Sequence, residues 1–124
     1  MQSVIRWALA ALLLATLPAL ADTMPNPYVV GRIVRCSSTI TSGGTSQTAI
    51  SATANTGSKF LFIQNPVNAT EDLFVDMGES ATSSGSIDLA AGSVFTMGGQ
   101  SVWQGSVTVF ATTTAHAFNC FYGD

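Results

Sequence analysis

Charge is what this chain has least of, and several functions fall with it. Of its 124 residues four are Lys or Arg, seven are Asp or Glu and one is His. Beyond the N-terminal segment the basic set is Arg32, Arg35 and Lys59. So few cations on a net-acidic chain cannot form the stripe that neutralises phosphates, which excludes nucleic acid as a partner. Catalysis is poorly provided for as well, because His116 is the only histidine and no G-x-S-x-G nucleophile motif occurs. His116 begins the alternating series His116, Phe118, Cys120, Tyr122 on one face of an expected strand, and reads as a partly buried structural histidine. No catalytic residue is assigned, and the chain is read as a non-enzyme.

Metal chemistry fails on ligand count. A blue-copper centre takes two histidines, a thiolate and a weak axial methionine. His116, Cys120 and Met97 or Met77 offer one histidine, in an order that places His before Cys. Zinc fails in the same way. Glu71, Asp72, Asp76, Glu79 and Asp88 gather around one expected hairpin and its following loop, but their spacing matches no calcium loop and reads as a solvated acidic rim. No metal or cofactor is expected.

Long apolar runs are scarce too, and the one present is terminal. Arg6 is followed by an apolar stretch from Trp7 to Leu17, then Pro18 and the small-residue exit Ala19-Leu20-Ala21. A charged start, a short apolar centre and an A-x-A exit are the parts of a secretory leader. The run is about half of the roughly 20 residues that span a bilayer, so no stable membrane anchor is expected after cleavage. The expected organisation is a leader at 1–21 and one domain at 22–124, placed in the periplasm or secreted.

Cysteine is limited to Cys36 and Cys120, near the two ends of the mature region. An isolated pair in an exported chain is expected to be bridged. Closing so long a loop stabilises by about 4–5 kcal/mol in the chain-entropy model.

What the chain has in quantity is Ser, Thr, Gly and Ala interspersed with Val, Ile and Phe. Apolar residues recur at period 2 in short runs between Gly, Ser, Asn and Pro clusters, with no helical periodicity in the mature region. Strands are expected at 28–36 (with Gly31 a bulge), around 48–51, at 59–65, 72–77, 86–89, 94–97, 102–103, 106–111 and 117–122. Polar loops are expected at 37–46 and 78–85, and a turn at Gly98-Gly99. The 59–65 strand covers both faces, Phe60 and Phe62 against Leu61 and Ile63, and is expected to be central. The 72–77 strand is expected to lie antiparallel to it across the 66–71 connection. The fold class is all-β: an antiparallel β-sandwich, jelly-roll or Ig-like, of about seven to nine short strands.

Two surface features remain. Asn68-Ala69-Thr70 fits the N-glycosylation triplet in an expected loop. Trp103, the one tryptophan beyond the leader, is the candidate platform for a carbohydrate ligand.

The segment Lys59-Phe60-Leu61-Phe62-Ile63-Gln64-Asn65-Pro66 resembles small β-rich accessory proteins of tailed bacteriophage particles. The blocks Asp72-Leu73-Phe74-Val75-Asp76-Met77-Gly78 and Gly85-Ser86-Ile87-Asp88-Leu89-Ala90-Ala91-Gly92-Ser93-Val94-Phe95 are similar, as is the stretch from Val107 through Ala111 to His116-Ala117-Phe118. The resemblance implies a virion-associated structural or decoration module without catalysis. A leader and a cysteine pair depart from what a cytoplasmically assembled particle needs. They point to a particle maturing at a membrane, or to a host-borne relative exported to the periplasm or beyond. The expected function is a non-catalytic structural or interaction module outside the cytoplasm, acting through a protein partner or self-assembly. A secreted or periplasmic carbohydrate-binding sandwich is the alternative.

Overall fold

A computed structural model describes residues 31–55 and 57–123. The leader expected at 1–21 and the first-strand residues expected at 28–30 lie outside them. Nine strands and no helix are found among the described residues: β1 (Ile33–Arg35), β2 (Ser38–Thr39), β3 (Gln47–Ile50), β4 (Ser58–Gln64), β5 (Leu73–Met77), β6 (Ile87–Leu89), β7 (Val94–Trp103), β8 (Val107–Phe110) and β9 (Ala117–Gly123). They form two sheets, ordered β1-β9-β4-β7 and β3-β8-β5-β6, with β2 also on β9. Every pairing is antiparallel.

The period-2 pattern sorts the side chains. Leu61 and Ile63 of β4 and Phe118 and Cys120 of β9 are buried from the first sheet; Ile50, Leu73, Val75, Leu89, Val107 and Val109 are buried from the second. All belong to one apolar cluster. Each large aliphatic or aromatic side chain so removed from water contributes about 1.5–3 kcal/mol. On the opposite faces Phe62, Phe74, Phe110 and Phe121 stay half-buried. There, cross-strand neighbours bring rings together: Phe62 and Phe121 lie 6.0 Å apart, and Phe74 and Phe110 5.9 Å apart. β4 is central, flanked by β9 and β7, as its two-sided pattern requires.

Cys36 and Cys120 form the disulfide. β1 and β2 run along β9 in one register, Arg35 opposite Phe121 and Ser38 opposite Phe118, so the two cysteines face each other between them. Their Cα atoms are 4.7 Å apart, and the Cys36 amide donates to the Cys120 carbonyl at 2.8 Å. The bridge therefore ties neighbouring strands of one sheet.

Four local expectations are corrected. β5 does not pair with β4; its neighbours are β6 and β8 in the other sheet. The 65–72 connection crosses between sheets, so adjacency in sequence does not become adjacency in the ladder. Gly98-Gly99 is not a turn. β7 runs through it, and the positive φ of Gly99 (107°) falls where the β4–β7 register shifts between Ser58 and Phe60. The segment 37–46 is not all loop, because Ser38 and Thr39 pair with Phe118 and Ala117. Gly31 is an exposed bend outside β1 rather than a bulge within it.

Candidate functional site

The densest polar chemistry lies where β4 ends and β9 begins. Pro66 ends β4, since it has no N–H for the ladder. The residue before it, Asn65, is fully buried. Burial of an amide is costly unless its groups are paired, and here each one is. The Asn65 Nδ2 donates to the Glu71 carbonyl at 2.9 Å and the Leu89 carbonyl at 2.8 Å. Its backbone N–H donates to the Ser93 carbonyl, and its carbonyl accepts from the Gly92 N–H. Its Oδ1 lies 3.0 Å from the His116 Nε2. The side chain thus joins the end of β4 to the approach to β5, the end of β6 and the start of β9, and the backbone of the same residue joins it to the start of β7.

Those contacts also settle the direction of the last bond. Both Nδ2 hydrogens point at carbonyl oxygens, so the amide cannot be turned over. Oδ1 is an acceptor only, and His116 must carry its proton on Nε2. The other ring nitrogen, Nδ1, lies 3.3 Å from the Glu71 Oε1. His116 is buried, and Glu71 keeps 17% of its side-chain surface in contact with water.

Glu71 holds the rest of the turn. Its carboxylate accepts the Thr112 N–H at 3.0 Å, the Thr113 N–H at 3.1 Å and the Thr113 hydroxyl. Burial pushes its carboxyl up, but the Thr113 hydroxyl and amide, the His116 ring and the Thr112 amide outweigh this. The net effect holds it below the ordinary carboxylate value. The far side of the turn is fixed by Ala115 N–H donating to the Ile40 carbonyl and Ile40 N–H donating to the His116 carbonyl, both at 2.8 Å. Ala115 adopts a φ of 67°, in the left-handed region that costs an L-residue about 1–2 kcal/mol. Gly43 lies flush against the same turn; a Cβ there would come within 2.5–2.6 Å of backbone atoms of Thr112, Thr113 and Thr114.

A cavity of about 280 Å³ opens beside His116, between turns 66–70 and 113–117. Asn68, Thr70 and Thr114 line it with His116, and no Lys or Arg does. Asn68 of the glycosylation triplet is exposed on its rim. Each His116 nitrogen faces a group that orders the fold, Asn65 on one side and Glu71 on the other.

The other predicted features are dispersed. Trp103 lies at the far end of β4, opposite Ser58, half-buried against the core cluster, with its ring edge 3.8 Å from the position of a Cβ on Gly105. Of the acidic residues, Asp76 accepts from the Ser86 hydroxyl at 3.0 Å, while Asp72, Glu79 and Asp88 are exposed. Glu71 departs from the solvated rim because His116 and the 112–113 amides engage it. The two polar loops, 37–46 and 78–85, meet: the buried Ala81 N–H donates to the hydroxyls of Ser46 and Thr108, each at 2.9 Å. Among the described residues, no group of three or more His, Cys, Asp or Glu could hold a metal ion.

Sequence reasoning expected a partly buried His116, which is found buried, and missed both of its partners. Asn65 entered only as the last residue of an expected strand and as part of the Lys59–Pro66 segment, and Glu71 only as one of five acids. The one available signal was an amide at the end of an otherwise apolar buried strand, where it needs internal partners. Comparison with protein-family models, with curated proteins and with solved structures finds no match to this chain in any of the three.

Proposed function

We propose that the protein is a non-catalytic structural or interaction module that works outside the cytoplasm, built as a jelly-roll β-sandwich. With β1 and β2 taken as one interrupted strand, each sheet has four members, and the chain visits them in the order of two successive Greek keys. That order differs from the ABED and CFG sheets of the Ig fold. A core drawn from both sheets favours face-to-face packing. The disulfide suits an oxidising compartment, secreted or periplasmic.

The observation that carries the interaction role is β7. It is ten residues long, lies at the edge of its sheet, and contains no Lys, Arg, Asp, Glu or Pro. Natural edges are ordinarily blunted with such residues, because unpaired N–H and C=O groups invite another strand. An uncharged long edge suits pairing with a second copy or with a larger partner. The two hydroxyl-rich loops that meet at Ala81 add a wet contact surface beside the other sheet. A virion surface is the setting that the resemblance to bacteriophage accessory proteins implies, and a host-borne relative exported to the periplasm or beyond is the other.

The carbohydrate reading centred on Trp103 draws less support, because its ring packs against the core. Glycan titration followed by tryptophan fluorescence tests it directly, and a saturable response would favour it over assembly. For the assembly reading, solution mass measured over a wide concentration range should show a dimer or larger species. Thr96→Lys, on the exposed part of β7, should shift that species toward monomer.

A further inference from the structure

The geometry points to a pH-operated latch at the β8–β9 turn, with the His116 Nδ1 as the titrating position and the Glu71 carboxylate as its catch. Three observations converge on it. Asn65, locked by two carbonyl acceptors, fixes the proton on the His116 Nε2. The ring therefore gains or loses its second proton at Nδ1, the atom 3.3 Å from the Glu71 Oε1. The same carboxylate also holds the amides of Thr112 and Thr113. The state of one ring nitrogen is thus felt at both ends of a five-residue turn.

The two ring states act in opposite senses. With Nδ1 protonated, an imidazolium faces a carboxylate across a mostly shielded contact, where Coulomb attraction is screened less than in water. With Nδ1 bare, its lone pair faces the same carboxylate, and attraction becomes repulsion. Glu71 is the only acidic group that His116 contacts among the described residues. The other elements packed on the ring bring Asn65 from β4 and the threonines and Ala115 of the turn, none of which titrates in this range. Histidine is the side chain whose charge ordinarily changes between pH 5 and 8.

Tension for opening is already present. Ala115 sits in the left-handed region, held there by its bond to the Ile40 carbonyl. A non-glycine residue keeps such a conformation only while its surroundings impose it. The turn also walls the cavity beside His116, together with Pro66, Asn68 and Thr70. Opening would widen that cavity and free the 112–114 backbone from Gly43. The latch is closed while Nδ1 carries its proton and loosens when that proton is lost. Its lower limit is protonation of Glu71.

Nitrogen-resolved NMR of the His116 ring, with amide exchange measured at each pH, tests this in the intact oxidised protein. The expected result is titration at Nδ1 with Nε2 protonated throughout. Protection of the Thr112, Thr113 and Ala115 amides should fall about tenfold across that titration, the equivalent of one pK unit of coupling, while Val75 and Val109 keep theirs. Glu71→Gln should flatten the pH dependence at the turn. A neutral ring carrying its proton on Nδ1, or protection at the turn that stays constant while Nδ1 titrates, would overturn the latch. Both readouts come from the wild-type protein and stand even if the variant does not fold.

Discussion

Two points along β9 are held by opposite means. Near its middle, Cys120 is joined covalently to Cys36 in the neighbouring strand. At its start, His116 is held by hydrogen bonds and one ionic contact, through Asn65 and Glu71. A disulfide acts mainly on the unfolded chain, by removing conformations that it would otherwise explore. The polar cluster acts only in the folded state, and each group in it is costly if its partner is lost. One attachment is indifferent to pH and sensitive to reductant; the other is the reverse. The same strand thus carries a permanent fastening and a conditional one.

The largest effect should come from breaking the first. Replacing both cysteines with alanine should lower unfolding stability by about 4–5 kcal/mol on the chain-entropy model for an 84-residue separation. Urea unfolding of the oxidised protein against the variant measures it, and a loss below about 1 kcal/mol would show that native-state strain cancels the entropy gain. Next is Asn65→Ala, which leaves the Leu89 and Glu71 carbonyls and the His116 Nε2 without partners in the interior. At about 1 kcal/mol or more for each abandoned group, a loss of about 3 kcal/mol is expected, read from the same urea midpoint. Gly43→Ala should cost about 1–3 kcal/mol, because the added methyl meets backbone on the facing turn. Its signature is faster exchange at the Gly44 amide, which donates to the Ala111 carbonyl.

The pH response of Glu71 follows from its lowered value. The unfolded carboxyl takes up a proton at a higher pH than the folded one. Stability from this group is complete above the ordinary carboxylate range and is lost as pH falls through the lowered folded value. Urea midpoints measured from pH 6 downward should decline less steeply for Glu71→Gln than for the wild type. The smallest expected effect is Ala115→Gly. It relieves about 1–2 kcal/mol of left-handed strain and gives back about 0.5–1 kcal/mol in chain entropy, so a net gain of at most about 1.5 kcal/mol is expected in thermal unfolding.

Much of this architecture was legible in the residues. The alternation of Phe60, Leu61, Phe62 and Ile63 marked a central strand, and His116, Phe118 and Cys120 marked one buried face. The cysteine pair announced its bridge through its isolation in a chain whose first residues read as a secretory leader. What failed did so for identifiable reasons. Ser38 and Thr39 carry no apolar signal, so β2 could not be separated from a loop. Gly98-Gly99 carried a turn signal that β7 absorbs as a register shift. Leu73, Val75 and Met77 declared a strand but not its sheet, because the crossover is set by which strands return later. The site was hidden for the same reason: Asn65 and His116 are 51 residues apart, and Glu71 bonds an amide 42 residues away. Nothing local distinguishes that glutamate from its four acidic neighbours.

The most direct test of the interaction role is the solution mass of the oxidised protein beside that of Thr96→Lys, measured by light scattering over a hundredfold range of concentration. The expected result is a dimer or larger assembly for the wild type and a shift to monomer when a charge is placed on β7. A protein that stays monomeric at every concentration and gives the same mass with or without that charge, and neither pairs with nor adsorbs to any particle surface, would contradict it.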